Sequence, residues 1–481
     1  MMMQRDDERI LKSLHDQNPW WTSNEVPEVL ARPFRRRDFH SIRDELQKNE
    51  IQAIVGPRQT GKTTVMYQLV EHLVETVNPR RLVYFSFDYP YVGTFTEKPL
   101  TDILEVYSSD VLREPIGELG ERVYVFLDEV CKLDNWSRVL KGWYDLKRPI
   151  KFIVSDSSSL DVLTGSSESL VGRIDIRTML SFDFVDAVGY HGTDLGEPGS
   201  ELGQAMRSAV EGDATGLLST AKRVASDLVP IEDRLKIHLQ DYLLKDGYPG
   251  VLGIDSLEEC SRKLRTYADL TIYKDLVRLF DIRDPRALED LIALIAQESS
   301  QRMSYHGLSR TLGLKLDTVK RYLDHLESAF LISRSEFYSR SRASRIRKSR
   351  KIYLSNAGLR NAIIGSLSED TLRSADVGRI AETVVFDHCR RLAHRINAGP
   401  SPLFYWRSQQ GKEVDIVMEL LGRPVPVEVK FRGRVPQSEL SGIERFLDEH
   451  SCPFGLVVTK DSLTARGDIV LLPLWLFLIM C

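Results

Sequence analysis

Short apolar runs, separated by stretches of helical spacing, set the pattern of the first 185 residues. The runs fall at 51–55, 82–87, 123–127 and 151–155, and they are largely apolar without strict alternation. A strand of this kind is buried on both faces, and helices between such strands serve as crossovers. The pattern therefore predicts a parallel sheet covered on both sides. Residues 1–50 read as a polar helical lead-in ending in the basic stretch Arg32-Pro33-Phe34-Arg35-Arg36-Arg37. Between 189 and 216 lie seven glycines and few large apolar residues, which predicts a flexible connection and a domain boundary. Helical spacing resumes over 217–345, and clear strands return from about 375 to the end. The last stretch, 469–481, is almost wholly apolar but too short for a bilayer span and carries Pro473, so it reads as a buried terminal strand or packed tail. No internal repeat or heptad pattern is present.

The chain is accordingly divided into a lead-in (1–50), a parallel-sheet domain with a flexible glycine-rich end (51–216), a helical region (217–370) and a mixed C-terminal domain (371–481). A length of 481 residues suits about three domains. The net charge of −4 gives no global attraction to nucleic acid, so any such binding needs a local basic patch. Five scattered cysteines form no C-x-x-C pair, which argues against a disulfide framework or a zinc site and suits a reducing, cytoplasmic setting. The N-terminus lacks an apolar signal core, and no stable membrane insertion is expected.

The first run leads directly into Gly56-Pro57-Arg58-Gln59-Thr60-Gly61-Lys62-Thr63-Thr64, which fits G-x-x-x-x-G-K-[ST] between a strand and a helix. The glycines let the backbone curl so that successive N–H groups face phosphates at a helix N-terminus. Lys62 would reach the β- and γ-phosphates of ATP, and the Thr63 hydroxyl would ligate Mg²⁺. The run at 123–127 ends in Asp128-Glu129. Asp128 would hold Mg²⁺, and Glu129 would polarise the attacking water. The run at 151–155 ends in Ser155 and opens into Asp156-Ser157-Ser158-Ser159, so Ser155 is a candidate γ-phosphate sensor. Arg173, after Gly172, is a candidate arginine finger acting in trans, which would imply a homo-oligomer. A solvated arginine and a serine N-cap are the plainer alternatives.

The phosphate-loop phrase, the Leu-Asp-Glu-Val strand, the Ser-Leu-Val-Gly-Arg stretch at 169–173 and the lead-in Asn18-Pro19-Trp20-Trp21 resemble an AAA-type ATPase family of archaea and bacteria. In that family the ATPase is joined to a C-terminal region of unknown function. The chain departs from the family at Asp156, where a glycine is usual, and at Met179, where a proline is usual.

Helices are expected at 288–297, 303–312 and 317–326, with Gly313-Leu314 as the turn before the third. The third has Val319, Leu323 and Leu326 on one face and Lys320 and Arg321 on the other, a helix–turn–helix spacing that suits a major groove. Arg340, Arg342, Arg345, Arg347, Lys348, Arg350 and Lys351 place seven basic residues in twelve positions and could form a wing on DNA phosphates. Members of the resembled family carry a winged-helix-like unit here. The alternative is a protein-interaction module with a solvated basic loop.

Further on, Glu382 sits near the start of a helix, Asp415 on a strand at 413–417, and Glu428 and Lys430 on one side of its hairpin partner. These carboxylates can converge on one metal, with Lys430 orienting water or stabilising charge on a reacting phosphate. The set looks like the PD-(D/E)XK nuclease arrangement, with Arg407 and Gln409 upstream as substrate or metal-shell contacts. The alternative is an ordinary hairpin with charged outward residues. The expected fold is thus α/β: a P-loop parallel sheet, a winged-helix-like middle and a mixed α/β nuclease-like end. The expected function is Mg²⁺-dependent ATP hydrolysis coupled to a DNA-binding tail, in which cleavage by the nuclease-like set and a set that holds ligands without turnover are both open. The rival is a regulatory ATPase whose C-terminal regions bind protein and cleave nothing.

Overall fold

The computed structural model describes residues 2–89, 98–157, 170–196, 198–280, 282 and 284–481. The chain divides into two compact units, Met1–Leu180 with Ser328–Phe330, and Ser181–Glu327 with Leu331–Cys481. It is a mixed α/β protein with a parallel sheet in the first unit and a mixed sheet in the second. Among the described residues, no helix is long and apolar enough to cross a membrane.

The first unit holds five parallel strands: β1 (Ile51–Val55), β2 (Leu82–Ser86), β3 (Val123–Asp128), β4 (Ile150–Asp156) and β5 (Ile174–Thr178), in the order β2-β3-β4-β1-β5. The first four coincide with the apolar runs, because strands buried on both faces leave a continuous signature. The pattern gave no warning of β5. It lies at the sheet edge, half exposed, and its Asp175 and Arg177 break any apolar run. At the other edge, the lead-in takes the place of a missing neighbour for β2. The Asn18 amide accepts from Tyr84 N at 2.7 Å and donates to Tyr84 O at 2.9 Å. The Trp20 and Trp21 indoles both donate to Leu82 O, at 2.9 and 2.8 Å, and Gln17 accepts from Ser86 N. A bare strand edge invites pairing with other chains, and these side chains close it.

The second unit contains the helices Pro285–Gln297, Tyr305–Leu312 and Leu316–Ser328, close to where helical spacing places them. Its sheet has nine strands: β6 (Arg302–Met303), β7 (Ile332–Phe337), β8 (Arg350–Leu354), β9 (Leu403–Arg407), β10 (Glu413–Leu420), β11 (Arg423–Lys430), β12 (Gly455–Thr459), β13 (Thr464–Arg466) and β14 (Ile469–Pro473). The order is β13-β14-β12-β11-β10-β9-β7-β8-β6. Parallel pairing of β7 with β9, Glu336 against Phe404 and Phe337 against Tyr405, joins the middle and C-terminal regions into one sheet. The apolar tail is packed as expected: β14 pairs with β12, and the Leu474–Met480 helix is buried throughout.

The glycine-rich stretch corrects the expectation of a flexible link. The first unit ends at Leu180, and 189–216 carries the Pro198–Glu211 helix and the start of the Ala214–Leu228 helix. Leu202, Met206, Ala209 and Val210 form a buried stripe. A side chain on Gly199 would place its Cβ 2.7 Å from the Ile479 carbonyl oxygen, so this glycine serves close packing on the terminal helix rather than mobility.

His388 is fully buried on the Val377–Asn397 helix; its Nε2 accepts from Phe184 N at 3.3 Å, and its Nδ1 lies 2.9 Å from Val384 O. This pattern requires the neutral ring with its proton on Nδ1. Burial, reinforced by Arg391, pushes its pKa down from 6.5 to about 4. A depressed pKa means stability that is complete above 6.5 and is lost as pH falls toward 4. The shift is worth roughly 3 kcal/mol. Urea denaturation at stepped pH should show this fall in the wild type, and His388→Gln should remove most of it.

Candidate nucleotide site and a second carboxylate cluster

Gly56 opens the phosphate loop where no other residue fits, because a Cβ there would run into the Met179 carbonyl oxygen. Gln59 and Gly61 adopt positive φ, 64° and 92°, which curls the chain into the Lys62–Val74 helix. Within the loop, the Thr60 hydroxyl donates to Pro57 O at 3.0 Å and Arg36 donates to Thr60 O at 3.0 Å. Thr64 lies one position further along the helix and is half-buried. The Lys62 ammonium bonds the Gly56 and Pro57 carbonyls, each at 2.8 Å. Burial lowers its pKa against the opposing pull of Glu129, Asp128 and Asp156.

The parallel order puts β4 between β1 and β3, so Ser155 stands between the phosphate loop and Asp128. Asp128 is buried and collects three hydroxyl donors: Thr63 at 2.7 Å, Tyr84 at 2.8 Å and Ser155. Ser155 Oγ also accepts from Glu129 N at 3.3 Å. The Thr63 hydroxyl, in the first turn of the helix after β1, and the Asp128 carboxylate, at the end of β3, are hard oxygen donors side by side, a set that fits a hydrated Mg²⁺. Glu129 follows at φ 59°, with its carboxylate 4.0 Å from the Arg58 guanidinium. Burial, helped by Asp156 and opposed by Lys62 and Arg58, raises its pKa to about 7. Asp156 accepts from Cys131 N at 3.1 Å, while Ser158, Ser159 and Ser169 lie outside the described residues.

Arg173 is not part of this cluster. Its carbonyl accepts from Ile51 N at the amino end of β1, opposite the end that carries the loop, and its guanidinium pairs with Asp145 at 2.7 Å. Its own chain's loop is out of its reach.

In the second unit the hairpin brings Asp415, Glu428 and Lys430 together. Asp415 Oδ2 accepts from Val429 N at 3.1 Å, Asp415 N donates to Glu428, and Lys430 Nζ donates to Glu428 Oε1 at 2.6 Å. Arg407 stands on β9 opposite Glu413, and Gln409 is exposed in the following loop. The structure adds Lys351, which as part of the basic run is expected on a DNA-facing wing. Lys351, on β8, points into the protein and donates to Glu382 Oε1 and Asp415 Oδ1, with Glu413 Oε1 also 3.0 Å away. Tyr353 OH completes Glu382 at 2.9 Å. Burial, then Asp415, raises Glu382 to about 7, and the same two causes raise Glu428 to about 8. Burial also works against Asp415, but Lys351 and Lys430 outweigh it and lower its pKa. With the Glu382 and Asp415 oxygens committed to an ammonium, the set Glu382, Asp415 and Glu428 does not fit a metal as it stands. Among the described residues no group of three His, Cys, Asp or Glu side chains has metal-holding geometry. The clue in the sequence is a lysine alternating with Tyr353 on a strand whose last three residues are apolar or aromatic.

The basic run is only partly free for an external partner. Arg345 lies over the Phe404 ring and 3.8 Å from Glu419, and Arg350 pairs with Glu336 at 2.9 Å. Arg340, Arg342 and Lys348 are exposed, and the Arg347 side chain lies outside the described residues. On the Leu316–Ser328 helix, Val319, Leu323 and Leu326 are buried and Lys320 and Arg321 face out, as their spacing predicts. Asp317 and Asp324 face out beside them, pairing with Lys320 and Arg334.

Residues 48–188 match the family model described as AAA domain, and 236–370 and 377–477 match two models described as domains of unknown function, DUF8612 and DUF4143. The AAA-domain match covers the phosphate loop and the acidic end of β3. An uncharacterized protein of Mycobacterium bovis is 25% identical over 82% of this chain and 74% of its own length. One from Methanocaldococcus jannaschii is 23% identical over 95% and 92%. Among solved structures, the Aeropyrum pernix ORC1 protein in complex with DNA aligns over 74% of this chain and 97% of that one, at 13% identity and a TM-score of 0.31. AMPPCP-bound DnaA from Aquifex aeolicus aligns over 65% and 92%, at 16% identity and a TM-score of 0.26.

Tyr84 sits in an apolar run and Arg36 in the basic lead-in stretch, and neither signal points to this site, since Tyr84 reaches Asp128 and Arg36 reaches the loop from distant segments. Tyr84→Phe removes one of three donors to a buried carboxylate and should cost about 1.5–3 kcal/mol. Urea denaturation of the variant checks this; a loss below about 0.5 kcal/mol would show that Asp128 does not depend on the phenol.

Proposed function

We propose that this chain is a cytoplasmic Mg²⁺-dependent ATPase whose second unit binds DNA. One observation carries the ATPase reading: Lys62, Thr63, Asp128, Ser155 and Glu129 converge at the carboxyl ends of three adjacent parallel strands. Backbone N–H groups from Gly56 to Thr64 cradle the phosphates. Lys62, held only by neutral carbonyls, turns to the β- and γ-phosphates, because a charged acceptor outcompetes neutral ones. Thr63 and Asp128 would hold Mg²⁺, which when bound neutralises charge on the phosphate oxygens. Glu129 orients the attacking water and takes its proton, steadied by Arg58, while Ser155 keeps Asp128 aimed and senses the γ-phosphate. Arg173 serves the site of a neighbouring copy, since it lies at the far end of its own sheet, and this makes a homo-oligomer the working assembly.

For the second unit, support comes from three helices followed by the β7–β8 hairpin, a winged-helix-like order, with Arg340, Arg342 and Lys348 exposed beside it. DNA contact is assigned to these phosphate-facing cations rather than to the Leu316–Ser328 helix. Asp317 and Asp324 on that helix favour the second reading, a regulatory ATPase that docks protein there, because exposed carboxylates repel a phosphate backbone. No cleavage step is assigned to Asp415, Glu428 and Lys430.

Lys62→Ala should lower ATP turnover by at least ~100-fold with an unchanged thermal melt. Turnover retained by the folded variant would sink the assignment. Glu129→Gln should bind ATP as the wild type does while turning it over at least ~100-fold more slowly. Neutralising Arg340, Arg342 and Lys348 together should weaken duplex binding for every sequence tested and reduce the log–log salt slope by about 3. An unchanged slope in fluorescence anisotropy would favour the protein-docking reading.

A further inference from the structure

The ammonium of Lys351 is a rare kind of buried charge. Its side chain is 4% exposed, on a strand of the mixed sheet, and three separate carboxylates stand 3.0 Å from its Nζ. These come from two places in the sequence: Glu382 on the Val377–Asn397 helix, and Glu413 and Asp415 on β10. An ammonium has three N–H bonds, and each of them has one carboxylate to meet. Further donors converge on the same carboxylates, Tyr353 on the Glu382 oxygen that Lys351 also meets. Val429 N donates to Asp415, and Lys430 to Glu428. The cluster therefore already contains its cations, Lys351 and Lys430.

A carboxylate set of this arrangement needs positive charge at its centre, because several anions cannot be left together out of water. A divalent ion bound by Glu382 and Asp415 would use the same oxygens, Oε1 and Oδ1, that Lys351 occupies. The two cations compete for one place. The lysine has the advantage of being covalently tethered to β8, whose neighbours β7 and β6 hold it in register.

We infer that Lys351 is the resident cation of this cluster: it fills the centre in which a nuclease-like site would hold a metal, and it keeps divalent ions out. The second unit then contains a latent metal site, closed by the last residue of the basic run. The same contacts tie β8 to β10 and to the Val377–Asn397 helix, so the lysine also fixes the strand on which the basic run ends. The inference rests on the cluster alone and stands whether or not the first unit hydrolyses ATP or the second binds DNA.

The test is Mn²⁺ binding by the full-length, nucleotide-free chain, read from the electron paramagnetic resonance signal of free Mn²⁺. Every protein carries Thr63→Ala, so that the phosphate loop contributes no ion. The parent should take up no Mn²⁺ below ~1 mM. Lys351→Met should bind one equivalent at least about tenfold more tightly, and adding Asp415→Asn should abolish that binding. Should Lys351→Met fail to give a native circular dichroism spectrum, Lys351→Met with Glu413→Gln removes one charge of each sign and keeps Glu382, Asp415 and Glu428. Two results would overturn the inference. One is a parent that binds an equivalent of Mn²⁺ removed by Asp415→Asn. The other is a folded Lys351 variant that binds no better than the parent.

Discussion

A charge withdrawn from water has to be answered inside the protein, and both chemical centres of this chain are built around that requirement. In the first unit the buried Asp128 carboxylate is answered by the hydroxyls of Thr63, Tyr84 and Ser155, and the Lys62 ammonium by two backbone carbonyls. All of these partners are neutral. In the second unit the Lys351 ammonium is answered by three carboxylates. Hydrogen bonds between opposite charges are about twice as strong as those between neutral groups. The first lysine is thus held loosely enough to move to an arriving phosphate, while the second is fixed. Identical side chains acquire opposite characters from their acceptors.

The sheets make these arrangements possible. In the first unit, the insertion of β4 between β1 and β3 brings a serine to the acidic strand from one side and the phosphate loop from the other. The lead-in closes the β2 edge through Asn18, Trp20 and Trp21, which places Tyr84 beneath Asp128 with its backbone satisfied. In the second unit, the β7–β9 pairing fuses two stretches that read as separate domains. Only because of that junction can a lysine from the middle of the chain meet carboxylates of its end.

Glycines illustrate how composition can mislead. At Gly56 the sequence context, a strand before and a helix after, identified a position that only glycine can take. Between 189 and 216 the same residue type signalled a flexible link, yet Gly199 lies where a helix presses on the terminal helix. Glycine permits both close approach and mobility, and composition does not separate them. The basic run behaves likewise. Seven cations in twelve positions suggest one surface, but Arg350 folds back on Glu336 and Lys351 turns inward.

The sequence by itself determined what depends on contiguous residues. It fixed the four doubly buried strands, the loop from Gly56 to Thr64, the acidic end of β3, the three helices near 285–328 and the hairpin carrying Asp415, Glu428 and Lys430. In each, the residues that cooperate are close along the chain, so spacing and periodicity record the geometry. The tertiary structure alone decided what joins distant segments: the edge strand β5, the Tyr84 and Arg36 contacts to the phosphate site, the shared nine-stranded sheet, and the entry of Lys351 among Glu382, Glu413 and Asp415. The Lys351–Asp415 contact spans 64 residues. No local pattern specifies which buried anion a lysine will meet. That choice is made when the whole sheet closes and every buried charge must find its partner at once.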